Sequence, residues 1–293
     1  MKRIVLAAAG VLVVSSGVLQ AAPWKKSVDA NLTMTQNAYS DNWSGGELGS
    51  ISWVFNSNSL FERQLSPKLN TRNTLKLFFG QTHSQTEDTK KWARPFKSTD
   101  RIDFETVFRF TLGGFFDPFA SGRIESQCLD QRDRTNERFI NPVLFTESFG
   151  VAKVLAKSGK REWTARLGGA FRQYLDRDIL DAASGARWTE TTSDGGILFV
   201  SDFLSPLADT TMTITSRLSV YEAFFYSESK KLEGQYNMDY WKSPDINWET
   251  IVTANINKYL MVNLYVQFLY DKEVDLAGRF KEALALGITY KLK

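Results

Sequence analysis

This sequence predicts an all-β chain closed into a transmembrane antiparallel β-barrel of about twelve strands, with both termini on the periplasmic side. Three observations predict it. Stretches in which apolar and polar residues alternate recur from Val28 to the last residue, and a period of two is the signature of a strand with one apolar face. The links between these stretches alternate between short and long. Aromatic residues make up 13% of the chain, with 21 Phe and 8 Trp, yet mean hydropathy is only -0.28. A barrel in lipid needs that combination, because its lumen and loops stay polar.

The chain begins MKRIVLAAAGVLVVSSGVLQAAPW. Lys2 and Arg3, an uncharged run and then Ala21 and Ala22 form the three regions of a cleavable export signal. Residues 1–22 are therefore expected to be removed and residues 23–293 to form the barrel. The single Cys128 leaves this domain without an intrachain disulfide in an oxidising compartment. A net charge of +3 over 293 residues gives no nucleic-acid footprint. After the signal no apolar run is long enough for a spanning helix.

The first segment, Val28 to Tyr39, sets Val28, Ala30, Leu32 and Met34 on one face. Leu48 to Phe61 follows with Ile51, Trp53 and Phe55 opposite Ser52, Asn56 and Asn58. The third, Leu69 to His83, opposes Leu75, Leu77 and Phe79 to Arg72 and Lys76. In the fourth, Arg101 to Leu112, Ile102, Phe104, Phe108 and Phe110 alternate with Asp103, Glu105 and Arg109. The fifth, Pro118 to Asp130, carries Arg123, Glu125 and Gln127 on one side. The sixth, Leu144 to Leu155, alternates too weakly for its faces to be assigned.

Glu162 to Tyr174 sets Trp163, Leu167 and Phe171 against Arg166 and Arg172. Thr192 to Leu204 sets Ile197, Phe199 and Phe203 against Asp202. Thr211 to Tyr226 sets Ile214, Leu218 and Val220 against Arg217. Ile246 to Asn257 opposes Trp248 and Val252 to Glu249. Leu260 to Tyr270 is the eleventh. The twelfth ends the chain, with Leu284, Leu286, Ile288, Tyr290 and Leu292 at alternate positions. These apolar faces are expected to meet outer-membrane lipid, and the last segment resembles the C-terminal signal read by the outer-membrane insertion machinery.

Links after even-numbered segments are short: GGFFD, AKSGK, SPLADT and NKY. Links after odd ones are mostly long and polar, such as QTEDTKKWARPFKSTD and the stretches 129–143, 176–191 and 228–245. An outer-membrane barrel has this asymmetry, with short turns inside and long loops outside. A soluble sandwich gives no reason for link length to follow strand parity.

NWSGGELGSISW after the first segment, then STDRIDFETVFRF, DPFASGRIESQ, NPVLFTESFG and the final RFKEALALGITYKL together resemble the barrel family called "domain of unknown function 3078". The resemblance spans nearly all of the chain after the signal. It implies an outer-membrane barrel of Gram-negative bacteria and carries over no substrate and no catalytic residue.

The polar faces then define the candidate site. Eight bases point inward: Arg72, Lys76, Arg109, Arg123, Arg166, Arg172, Arg217 and Lys281. Five acids share their side: Asp103, Glu105, Glu125, Asp202 and Glu249. The expected function is a narrow passive channel for small solutes, with paired charges narrowing it and a mild anion preference. The alternatives are a scaffold barrel plugged by ion pairs and a lipid-modifying enzyme centred on His83. The last is weak, because Ser84 beside His83 on an extended strand points to the opposite face. No cofactor or metal is expected. One His and one Cys make no zinc site, and Asp181, Glu190 and Asp194 lack the spacing of a calcium loop.

Overall fold

The computed structural model describes residues 22–40, 47–133, 136–181, 183–207, 211–257 and 259–292, with 289–292 as backbone only. The expected export signal, the DNWSGG turn and Arg134 lie outside the described residues, apart from Ala22.

The strands are β1 (Lys25–Asn37), β2 (Ser50–Ser66), β3 (Leu69–Ser84), β4 (Phe96–Phe110) and β5 (Asp117–Ser126). A two-residue pair follows, β6 (Leu129–Asp130) and β7 (Arg138–Phe139). Then come β8 (Val143–Ser158), β9 (Arg161–Leu180), β10 (Arg187–Leu207), β11 (Met212–Tyr226), β12 (Asp245–Asn255), β13 (Leu260–Tyr270) and β14 (Arg279–Leu292). All but β6 and β7 join one closed antiparallel barrel, in chain order, with β8 beside β5. Closure runs from Val28 opposite Leu292 to Thr33 opposite Gly287. No strand edge is left along the seam, so no row of unpaired backbone groups remains there to be satisfied.

The polarity of this barrel is inverted. Leu284, Leu286 and Ile288 are 72%, 61% and 65% exposed, and Phe149 and Phe224 are as open. The buried positions instead include Asn31, Asp103, Glu105, Arg166 and Glu249. Trp163 and Trp248 stand on the apolar exterior. Each donates its indole N–H to a serine on the neighbouring strand, Ser201 and Ser216, both at 3.0 Å. A group facing an apolar medium has no other partner for that donor.

The strand ends differ from the sequence reading for identifiable reasons. The fifth segment stops at Ser126 rather than Asp130. The Asp100 carboxylate takes the backbone N–H groups of Cys128 and Leu129 at 2.7 and 2.8 Å, drawing the chain out of the ladder. β4 starts at Phe96, not Arg101. β9 and β10 continue to Leu180 and from Arg187, so most of the link expected over 176–191 is strand. There the polar residues lie on both faces, and alternation fades while the backbone ladder continues. The sixth segment's faces are now clear: Phe145, Phe149 and Val151 are exposed outside, whereas Ser148 and Ala152 are buried inside. A register shift between Val154 and Ala156 blurs the pattern near its end. Gly159 makes the tight turn that follows, at φ +56°.

Candidate functional site: the charged bore

Inward side chains of facing strands meet across the interior. β4 and β12 lie six strands apart in either direction around the ring. Arg101 nevertheless reaches Glu249 at 2.7 Å, so this one pair spans the diameter. Lys76 joins the same carboxylate at 2.9 Å. Arg101 also holds Asp103 at 2.6 Å, and Arg123 donates two hydrogen bonds to Asp103, at 2.9 and 2.8 Å. Arg123 meets Glu125 as well, at 2.9 Å.

A second group lies beside the first. Glu105 accepts two bonds from Arg217, at 2.7 and 2.9 Å, and one from Arg166 at 2.9 Å. Asp202 stands 3.4 Å from Arg166 and 3.5 Å from Arg217. Fork-to-carboxylate geometry of this kind is strong and directional. It is also required, because an unpaired charge this deep is costly. The Arg166 guanidinium further caps the ring of Phe119, 5.6 Å away.

The remaining expected residues sit toward the two ends. Arg72 pairs with Glu162 at 2.8 Å, and Arg109 lies loosely by Asp117 at 3.8 Å. Arg172 bridges Asp194 and Asp245 at 2.8 and 2.7 Å and covers the Tyr221 ring. Lys281 donates to the Thr99 hydroxyl at 3.1 Å.

Five partners in this network were missed by the sequence reading: Arg101, Asp117, Glu162, Asp194 and Asp245. Each has the inward parity of its strand: Arg101 and Glu162 open their segments, Asp194 lies just inside its own, and Asp117 and Asp245 stand one residue before theirs. Four added acids against one added base bring these residues to nine of each sign, so the excess counted from the sequence is not kept within the paired network.

Two cavities flank the network. One, of about 220 Å³, opens toward the long links and is lined by Arg123, Arg172, Ser219, Tyr221, Asn247 and Arg279, among others. The other, of about 160 Å³, lies toward the short turns, with Asn70, Arg72, Arg109 and Glu162 on its wall. Glu105 and Arg217 line both. They form the partition between the two chambers.

The link between β5 and β8 is built as firmly as the bore. The β8–β9 ladder begins with Val143 opposite Leu175, which leaves the top of β9 without a strand on that side. Side chains take the place of one. Asn141 accepts the Arg177 backbone N–H at 2.9 Å, and Arg138 donates to the Arg177 carbonyl at 2.9 Å. Asp130, fully buried, ties Arg132, Arg138 and Asn141 together. Burial alone would raise its carboxyl, but hydrogen bonds from Arg132 and Asn141 hold it at about 2. His83 packs its ring on Trp92, with centroids 5.0 Å apart, and Ser84 accepts the Ala93 N–H through its carbonyl.

Residues 34–131 match the family described as "Protein of unknown function (DUF3078)". The match takes in the NWSGGELGSISW, STDRIDFETVFRF and DPFASGRIESQ motifs and stops before NPVLFTESFG. No curated protein sequence matches the chain. Among solved structures, the COG4313 outer membrane channel from Pseudomonas putida F1 is similar at 15% identity and a TM-score of 0.43, covering 95% of this chain and 99% of that one. The translocator domain of autotransporter NalP from Neisseria meningitidis is similar at 10% identity and a TM-score of 0.35, covering 91% and 86%. The beta domain of the Bordetella autotransporter BrkA gives 10% and 0.32, covering 92% and 98%.

Proposed function

We propose that this chain spans the outer membrane of a Gram-negative cell and acts there as a narrow, weakly selective passive channel for small solutes. The observation that carries the reading is the inverted polarity: a charged, hydrogen-bonded interior inside an exterior of open Phe, Leu and Ile side chains. Water-facing barrels expose no such belt, whereas lipid requires one. The export-signal pattern expected over residues 1–22 and the short-turn, long-link asymmetry support this reading. On this reading the short turns and both termini lie in the periplasm.

Two chambers entered from opposite ends and parted only by side chains favour conduction over a solid core. The diametral Arg101–Glu249 pair favours the second reading, a plugged scaffold. Single-channel recording from purified, refolded protein separates them. Small currents with little preference between anion and cation are expected. Large steady currents would overturn the partition, and a bilayer indistinguishable from bare lipid would leave the scaffold.

Topology is tested independently, in a Cys128→Ser background. A cysteine at Lys90 is expected to react with a membrane-impermeant thiol reagent on whole cells, and one at Ser158 to react only after lysis. The opposite pattern would turn the barrel over.

A further inference from the structure

The link between β11 and β12 does not stand clear of the barrel. Its course follows from three small residues brought side by side by strand register. Gly196 on β10 lies opposite Ala170 on β9 and Ala223 on β11, and all three have inward parity. A side chain at 196 is excluded, since a Cβ there would come within 1.9 Å of the Glu222 carbonyl oxygen. Three adjacent strands therefore present an Ala–Gly–Ala notch in the inner wall.

That notch is filled by the link itself. Trp241, in the short 3-10 turn Tyr240–Lys242, packs with Leu198 against the buried cluster of Ala170, Tyr221 and Ala223. Its ring lies 6.2 Å from that of Tyr226. The Lys272 ammonium stands 4.7 Å above the Tyr240 ring and so ties in the following link. Tyr221 of that cluster, and Leu198, which packs against the same cluster, also line the larger chamber. The seat of Trp241 is thus on the chamber's wall.

We propose that Trp241 sets the aperture of the long-link entrance. The segment from Ser229 to Lys242 is a lid, its indole seated in the Ala170–Gly196–Ala223 notch, and solutes enter the larger chamber only as far as the seated indole allows. This rests on the reading that the bore is entered from the long-link side. An aromatic ring on a floor of small side chains is held by area and fit. The lid's further contacts include the ring contacts of Trp241 with Tyr226 and of Tyr240 with Lys272, so the lid can lift without breaking a strand ladder.

The test is labelling of the chamber wall. In a Cys128→Ser background, Ser219→Cys places a thiol in the larger chamber, and bulky and compact impermeant maleimides are added to whole cells. Trp241→Ala is expected to raise the rate with the bulky reagent at least tenfold and the rate with the compact one much less. Ala223→Leu fills the notch and expels the indole without removing it, and should do the same. Trp241→Phe should stay close to the parent. Heat-modifiable gel mobility reports that each barrel is folded. Unchanged rates in both opening variants, or a parent already labelled as fast as they are, would overturn the lid. Labelling needs no current through the bore, so a failed recording and a failed lid are separate results.

Discussion

Replacing Glu105 by alanine is expected to destabilise the folded barrel by roughly 3–5 kcal/mol, the cost of leaving buried charges without their partner. Glu105 is 6% exposed and receives three hydrogen bonds from Arg166 and Arg217. Its loss leaves Arg166 with Asp202 alone, at 3.4 Å, and Arg217 with the same carboxylate at 3.5 Å. One acid then answers two guanidinium groups. Glu105→Gln should fall between, because the amide keeps an acceptor and removes only the charge. The check is urea unfolding of the protein folded in lipid, followed by tryptophan fluorescence. Removing the charges together, as Glu105→Ala with Arg166→Met, Arg217→Met and Asp202→Asn, should recover much of the loss, since all four members of the cluster are then neutral. An alanine variant as stable as the parent would mean that the partition is wet and the pairing incidental.

The second large effect is on conductance. Arg101→Ser with Glu249→Ser deletes both ends of the pair that spans the bore, and current should rise roughly threefold or more, as expected when a constriction made of side chains is cleared. The barrel should tolerate the change. Asp103 keeps Arg123, and Lys76, whose side chain is 19% exposed, can turn toward water. The freed Lys76 should also give the wider bore a slight anion preference. Arg109→Ser is the contrast: among the described residues its acidic partner is Asp117, 3.8 Å away toward the short-turn end, so its removal should change little. Equal conductance in the parent and the double variant would show that current, if any, does not pass between Arg101 and Glu249.

Much of this molecule is local and was legible in the alternation of residues. Which face of a strand a residue occupies is set by the backbone pleat alone, so Asp103, Glu105, Arg166 and Glu249 could be placed on the polar side before any partner was known. The same logic would have found Arg101, which begins the fourth segment with the parity of Asp103. It also reaches Glu162 and Asp194, which lie within their segments with the parity of Arg166 and Asp202, and would have reached Asp117 and Asp245 had those segments begun one residue earlier. The alternation of shorter and longer links was legible too, though the 176–191 link proved mostly strand, and nothing periodic marks Ser229 to Lys242 as a segment that turns inward.

What the alternation could not decide is who meets whom. Arg101 and Glu249 are 148 residues apart, and Glu105 and Arg217 are 112 apart. Whether such groups touch depends on the number of strands, their tilt and the stagger at closure, properties of the whole ring that no single strand carries. The seat of Trp241 has the same origin, since Ala170, Gly196 and Ala223 become neighbours only through the registers of three strands. The sequence determined what faces inward, because that is a property of each pleated strand. Closure of the barrel decided the pairing, because opposite walls are brought within reach of one another only when the ring is complete.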